Sequence, residues 1–140
     1  MKSEIILQWT KGMSFDSVID GHKITIDSSV ENGGNDFGPR PKALLMLSLA
    51  GCTGLDIVSL MNKMRVDFSK FNIKVEGDLA EEHPKKYNSL KIIFEVSGKN
   101  PESDKIEKAV KLSEEKYCGV WATLKPGVDI TYEILVKNLD

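Results

Sequence analysis

A chain of 140 residues has the usual size of one domain and can bury roughly two thirds of its unfolded surface, so its core needs neither disulfide nor metal. A net charge of -2 with 29% charged residues excludes the basic face that a nucleic-acid partner demands. The opening Met1-Lys2-Ser3-Glu4 lacks the apolar core and small-residue cleavage site of a secretory signal. These features predict a single domain over residues 1–140, a cytoplasmic location, no nucleic acid and no membrane. In a reducing cytosol, two cysteines read as free, catalytic or redox-active rather than as a structural staple.

Residues 4–10 predict a strand, and Lys11-Gly12 a tight turn. Phe15, Val18 and Ile19 then mark a second strand within 13–20. Asp20-Gly21 signals a hairpin, because both central positions of a type I′ turn need positive φ. A third strand follows over 22–27, with Ile24 and Ile26 on one parity. Residues 28–39 are rich in Gly, Asn and Asp; they form either a plain connection or a loop folding over a pocket. No phosphate-binding glycine motif occurs there.

Pro41 suits the first turn of a helix, and the apolar pattern predicts that this helix runs to about Met64. Leu44, Leu45, Met46, Leu47 and Leu49 surround it almost completely, which implies burial on more than one side. Ser48, Gly51, Thr53, Gly54 and Asp56 interrupt the apolar run, so it is expected to fall short of a membrane span. Strands are predicted at 71–79 and 89–96. A helix from about Pro101 through Tyr117 carries Ile106, Ala109, Val110 and Leu112 as its stripe, and a last strand covers 128–136. The order βββ-α-ββ-α-β, with no alternating βαβ signature, describes an α+β fold.

Chemistry centres on Cys52, in Ala50-Gly51-Cys52-Thr53-Gly54, and Cys118, in Tyr117-Cys118-Gly119-Val120. Small neighbours leave room for an approach to the Cys52 sulfur. Each cysteine reads equally as a small buried hydrophobe. Asp56, one helical turn after Cys52, disfavours a thiolate unless a cation offsets it. Arg40 and Lys42 at the helix start are candidate cations, as are Lys11 and Lys23 from a neighbouring strand. The two cysteines and two histidines, His22 and His83, lack the short spacings of a zinc site, so no metal and no cofactor are expected.

Taken together, Gly38-Pro39-Arg40-Pro41-Lys42-Ala43-Leu44-Leu45, Gly51-Cys52-Thr53, Tyr117-Cys118-Gly119-Val120 and Leu124-Lys125-Pro126 closely resemble the OsmC/Ohr family, in particular its uncharacterised OsmC-like branch. The resemblance covers nearly the whole chain. It implies an OsmC-like α+β fold built as an intertwined homodimer, with the central helices packed between the sheets. It further implies a thiol-dependent peroxidase acting on organic hydroperoxides, with Cys52 as the peroxidatic and Cys118 as the resolving cysteine. A dithiol reductant, often lipoyl-linked in the family, would reset the pair. Active members carry a glutamate just after the proline that opens the central helix, where this chain has Lys42. They also use an arginine from the N-terminal hairpin, where this chain has Lys11; Arg40 is a possible substitute. The second expectation is a binding or stress-associated protein of the same fold, holding a small apolar ligand without turnover.

Overall fold

The computed structural model describes residues 1–139. The chain forms two compact units, one ending at Leu45 and the other beginning at Met46.

The first unit is a three-stranded antiparallel meander of β1 (Gln8–Lys11), β2 (Ser14–Ile19) and β3 (His22–Ile26). Its second hairpin is the predicted one: Asp20 and Gly21 have φ of 51° and 81°, and Ile19 pairs with His22 across the turn. The first strand is shorter than predicted. It begins at Gln8 rather than residue 4, so Ile5, Ile6 and Leu7 precede the sheet as exposed chain. The loop after β3 is organised rather than plain. Buried Asp27 accepts hydrogen bonds from the backbone N–H groups of Ser28, Asn35 and Phe37 at 2.7, 3.2 and 3.1 Å. Burial works against its ionisation, but these three donors outweigh it and hold the carboxyl below its usual range. Among the described residues, this unit buries only Ser14, Ser17, Asp27 and Gly34. Trp9, Val18, Val30 and Phe37 stay exposed.

Pro41 opens α1 (Pro41–Lys63), which continues into the second unit. By length and composition α1 is long and apolar enough to cross a bilayer, with a mean hydropathy of 1.8 in its most apolar window. A core helix passes the same test, and one row of α1 packs into the hydrophobic core. Only one row is buried, Leu49, Thr53, Ile57 and Met61 at i, i+4 spacing. Leu47 and Leu55, on other faces, are 64% and 78% exposed. The predicted burial on several sides is therefore not met within one chain.

The second unit is built on a sheet of order β4-β5-β6: β4 (Lys70–Leu79), β5 (Tyr87–Gly98) and β6 (Asp129–Asn138). β4 and β5 pair antiparallel, whereas β5 and β6 pair parallel. The β5–β6 connection is thus a single helical crossover, which the sequence pattern, with no alternating βαβ signature, does not reveal. It also holds more elements than predicted: α2 (Ser103–Leu112), a single π-helical turn (Ser113–Tyr117) and α3 (Gly119–Leu124) replace one helix. Leu90, Ile92, Phe94 and Val96 of β5 pack with α1's row, with Ile106, Ala109 and Val110 of α2 and with Trp121 of α3. Each fully buried Val, Leu, Ile, Phe or Met side chain among them contributes roughly 1.5–3 kcal/mol. The first unit has no comparable apolar burial. Gly54 lets α1 lie close to β4, since a Cβ there would sit 2.9 Å from Ile73 Cδ1.

Candidate active site

Cys52 projects from the middle of α1, half-buried, and Cys118 stands at the N-cap of α3, only 3% exposed. The fold brings them together with Asp56. The two Sγ atoms and a carboxylate oxygen of Asp56 all lie within 4.8 Å of one another. Asp56 joins because it is four residues beyond Cys52 on the same helical face.

Three features fix Cys118. Its N–H donates to the Ser113 carbonyl at 2.8 Å, closing the π-helical turn. Its Sγ accepts the Trp121 N–H at 3.4 Å, satisfying one free donor of the first turn of α3. Trp121 in turn meets the Tyr132 ring edge-on at 6.0 Å. Burial, followed by the neighbouring Cys52 and the Asp56 charge, pushes the Cys118 thiol up to about 12, overriding the Trp121 donor. Cys52 is the more open sulfur. Thr53 beside it spends its hydroxyl on the Leu49 and Ala50 carbonyls, both at 3.1 Å, and so is committed to the helix.

Ser113 is the residue that the sequence reading missed. Fully buried, it donates its hydroxyl to Asp56 Oδ2 at 2.9 Å and accepts the Cys118 N–H on its carbonyl. It clips the π-helical turn to α1 and sets the second sulfur beside the first. A polar residue on the stripe of Ile106, Ala109 and Val110 was the one available signal.

The candidate cations Arg40, Lys11 and Lys42 belong to the first unit. Arg40 donates to Asp36 Oδ1 and to the Gly38 carbonyl, the latter at 3.1 Å. Lys11 lies 5.9 Å from the centre of the Phe37 ring. Lys42 is exposed in the first turn of α1. In the second unit, Asp56 borders a cavity of about 140 Å³ with Ser59, Leu60, Lys63 and Tyr117. On the helix face that includes Leu47, Gly51 and Leu55, a broad groove of about 720 Å³ runs against Phe71 and Ile73 of β4.

The OsmC-like protein family profile matches residues 33–133, a span that contains both cysteines. The chain belongs to the OsmC-like family. Among its relatives, the protein YhfA of Escherichia coli K12 is 32% identical over 132 residues, covering 92% of this chain and 96% of YhfA. A hypothetical protein of Aquifex aeolicus is 31% identical in its crystal structure, with a TM-score of 0.82, covering 97% of this chain and 98% of that one. The organic hydroperoxide resistance protein of Legionella pneumophila shares the fold at 18% identity, with a TM-score of 0.65 over 95% of this chain and 97% of that one. Family membership thus agrees with the resemblance drawn from the two cysteine motifs.

Proposed function

We propose that this OsmC-like protein is a cytoplasmic thiol-dependent peroxidase that reduces organic hydroperoxides. The single observation that carries this reading is the close approach of Cys52 to Cys118 within one chain. The Cys52 thiolate attacks the O–O bond of ROOH; the alkoxide leaves, takes up the proton that the thiol released to become an alcohol, and Cys52 becomes a sulfenic acid. The Cys118 thiol condenses with it, releasing water and forming a disulfide before further oxidation. A dithiol reductant, such as a dihydrolipoyl group, returns both thiols and is itself oxidised to a disulfide. The order of attack follows from the surroundings: Cys118 is buried and held protonated, whereas Cys52 is partly open.

The working unit in this proposal is a homodimer with the α1 helices packed together. The exposed Leu47 and Leu55 on α1, and a first unit with no apolar core of its own, support it. A three-stranded sheet of this size needs a covered apolar face to be stable.

A second reading is a binding protein of the same fold, holding a small apolar ligand without turnover. It draws support from Lys42, which stands where active relatives carry glutamate, and from Arg40, which is engaged by Asp36. Cumene hydroperoxide consumption with dithiothreitol or dihydrolipoamide tests the first reading. Consumption is expected in the wild type and lost in Cys52→Ser. Failure of the wild type to exceed the protein-free rate, with no loss of two hydrogens by intact mass, leaves the binding protein.

A further inference from the structure

We propose that the reduced protein binds one thiophilic divalent cation of the zinc class, held by Cys52 Sγ, Cys118 Sγ and the Asp56 carboxylate. The inference is independent of peroxide turnover; it needs only that the three groups meet. Counting ligands along the sequence argued against a metal, because the two cysteines are far apart in the chain. The fold supplies the missing proximity, with two ligands from one face of α1 and the third from the cap of α3.

Tetrahedral zinc, with bonds of about 2.3 Å to sulfur and 2.0–2.2 Å to oxygen, needs ligand atoms about 3.5–3.8 Å apart. The three ligand atoms already lie within 4.8 Å of one another, at most about 1 Å beyond that spacing. Three protein ligands leave a fourth position for water, as in open zinc sites. Of the three ligands, Asp56 also borders the cavity formed with Ser59, Leu60, Lys63 and Tyr117. The carboxylate is also oriented in advance, by the hydroxyl of a fully buried serine at 2.9 Å. Such an outer partner is the usual support of a metal-binding carboxylate.

Two thiols and one M²⁺ give a metal dithiolate and two released protons, with no electron transfer. The disulfide has no thiolate to offer, so oxidation of the pair expels the cation.

The test uses the intact protein and Cd²⁺ as the probe, read by its ultraviolet thiolate-to-metal charge-transfer band, with Zn²⁺ then measured by competition against a chromophoric chelator. The reduced wild type is expected to bind one equivalent per chain, and the same protein oxidised to the disulfide none. Asp56→Asn should weaken binding about tenfold or more, and Ser113→Ala about 10–100-fold, as loss of an outer partner does. No band with the reduced wild type, or undiminished Zn²⁺ affinity in Asp56→Asn, overturns the proposal. The comparison of reduced with oxidised wild type requires no variant to fold. Peroxide consumption in a chelating buffer is scored separately, so either reading can fail while the other stands.

Discussion

The Ser113 hydroxyl reaches Asp56 across 2.9 Å while the Ser113 carbonyl holds the Cys118 N–H at 2.8 Å. One buried residue therefore ties the turn carrying the second cysteine to the helix carrying the first. The π-helical turn explains why this works. Its wider winding places Ser113, rather than a residue one position along, under Cys118, and such turns occur frequently at functional sites. Ser113→Ala should remove a hydrogen bond to a charged group, worth about 1.5–3 kcal/mol. We expect a lower urea midpoint and slower formation of the Cys52–Cys118 disulfide after one equivalent of hydroperoxide. Ser113→Thr, which keeps the hydroxyl, should recover part of the disulfide rate. A disulfide rate unchanged in Ser113→Ala would show that the clip has no part in setting the two sulfurs.

The thiols should differ in reactivity. Cys118 titrates near 12 because it is buried beside Cys52 and Asp56, whereas an unfolded cysteine titrates at about 8.5. Iodoacetamide at neutral pH should therefore label Cys52 first, and Cys52→Ser should label slowly until the solution is strongly alkaline. Linkage gives the accompanying stability change. Between about 8.5 and about 12, the unfolded chain has lost the Cys118 proton and the folded chain keeps it, so stability falls as pH rises. Cys118→Ala should flatten that fall in denaturant titrations over this window. Equal labelling of both cysteines at pH 7 would contradict the assignment of roles.

Much of the architecture was legible in the sequence because it rests on local signals. The Asp20-Gly21 turn, Pro41 at the start of α1 and the period-two runs of β4 and β5 each declare themselves within a few residues. Three features did not. The parallel pairing of β5 with β6 is a long-range choice that strand periodicity does not encode. The division of the 101–117 pattern into α2 and a π-helical turn, with α3 beyond, depends on Cys118 capping a new helix through its sulfur. At the site, the motifs marked Cys52 and Cys118 but left Asp56 as an obstacle to the thiolate. Its placement against Ser113 comes from crossing two elements 57 residues apart in sequence. The apolar surround of α1 predicts burial on more than one side, yet one chain covers only the row through Leu49 and Met61.

Asp27 is a structural anchor in the first unit. Its carboxylate collects three backbone N–H groups and is held below the usual carboxylate range. The stabilisation is present above the unfolded value of about 3.9 and is lost as pH falls through the lower folded value. Asp27→Asn presents one amide oxygen where the carboxylate presents two acceptors. Amide hydrogen exchange at Asn35 and Phe37 should then quicken, while amides of β5 keep their protection. The wild type should lose protection at Asn35 and Phe37 only on acidification below the ordinary carboxylate range. Exchange at these two amides unaltered by the substitution would mean that the loop is held by other contacts.

Leu55 offers the most direct test of the homodimer. It is 78% exposed in the isolated chain, on the α1 face whose groove is walled by Gly51, Gly54, Val58 and Ile73. Returning this leucine to a covered interface contributes roughly 1.5–3 kcal/mol per copy, and a two-fold axis counts it twice. Leu55→Glu would place a carboxylate there, opposed by its own copy across the axis. We expect sedimentation velocity to report a dimer for the wild type and a monomer, or a dimer weakened by at least tenfold, for the variant. Leu55→Met, close in volume, should leave the dimer intact. A wild type that sediments as a monomer at micromolar concentration would remove the dimer from the proposed mechanism, leaving the paired thiols within one chain as its only support.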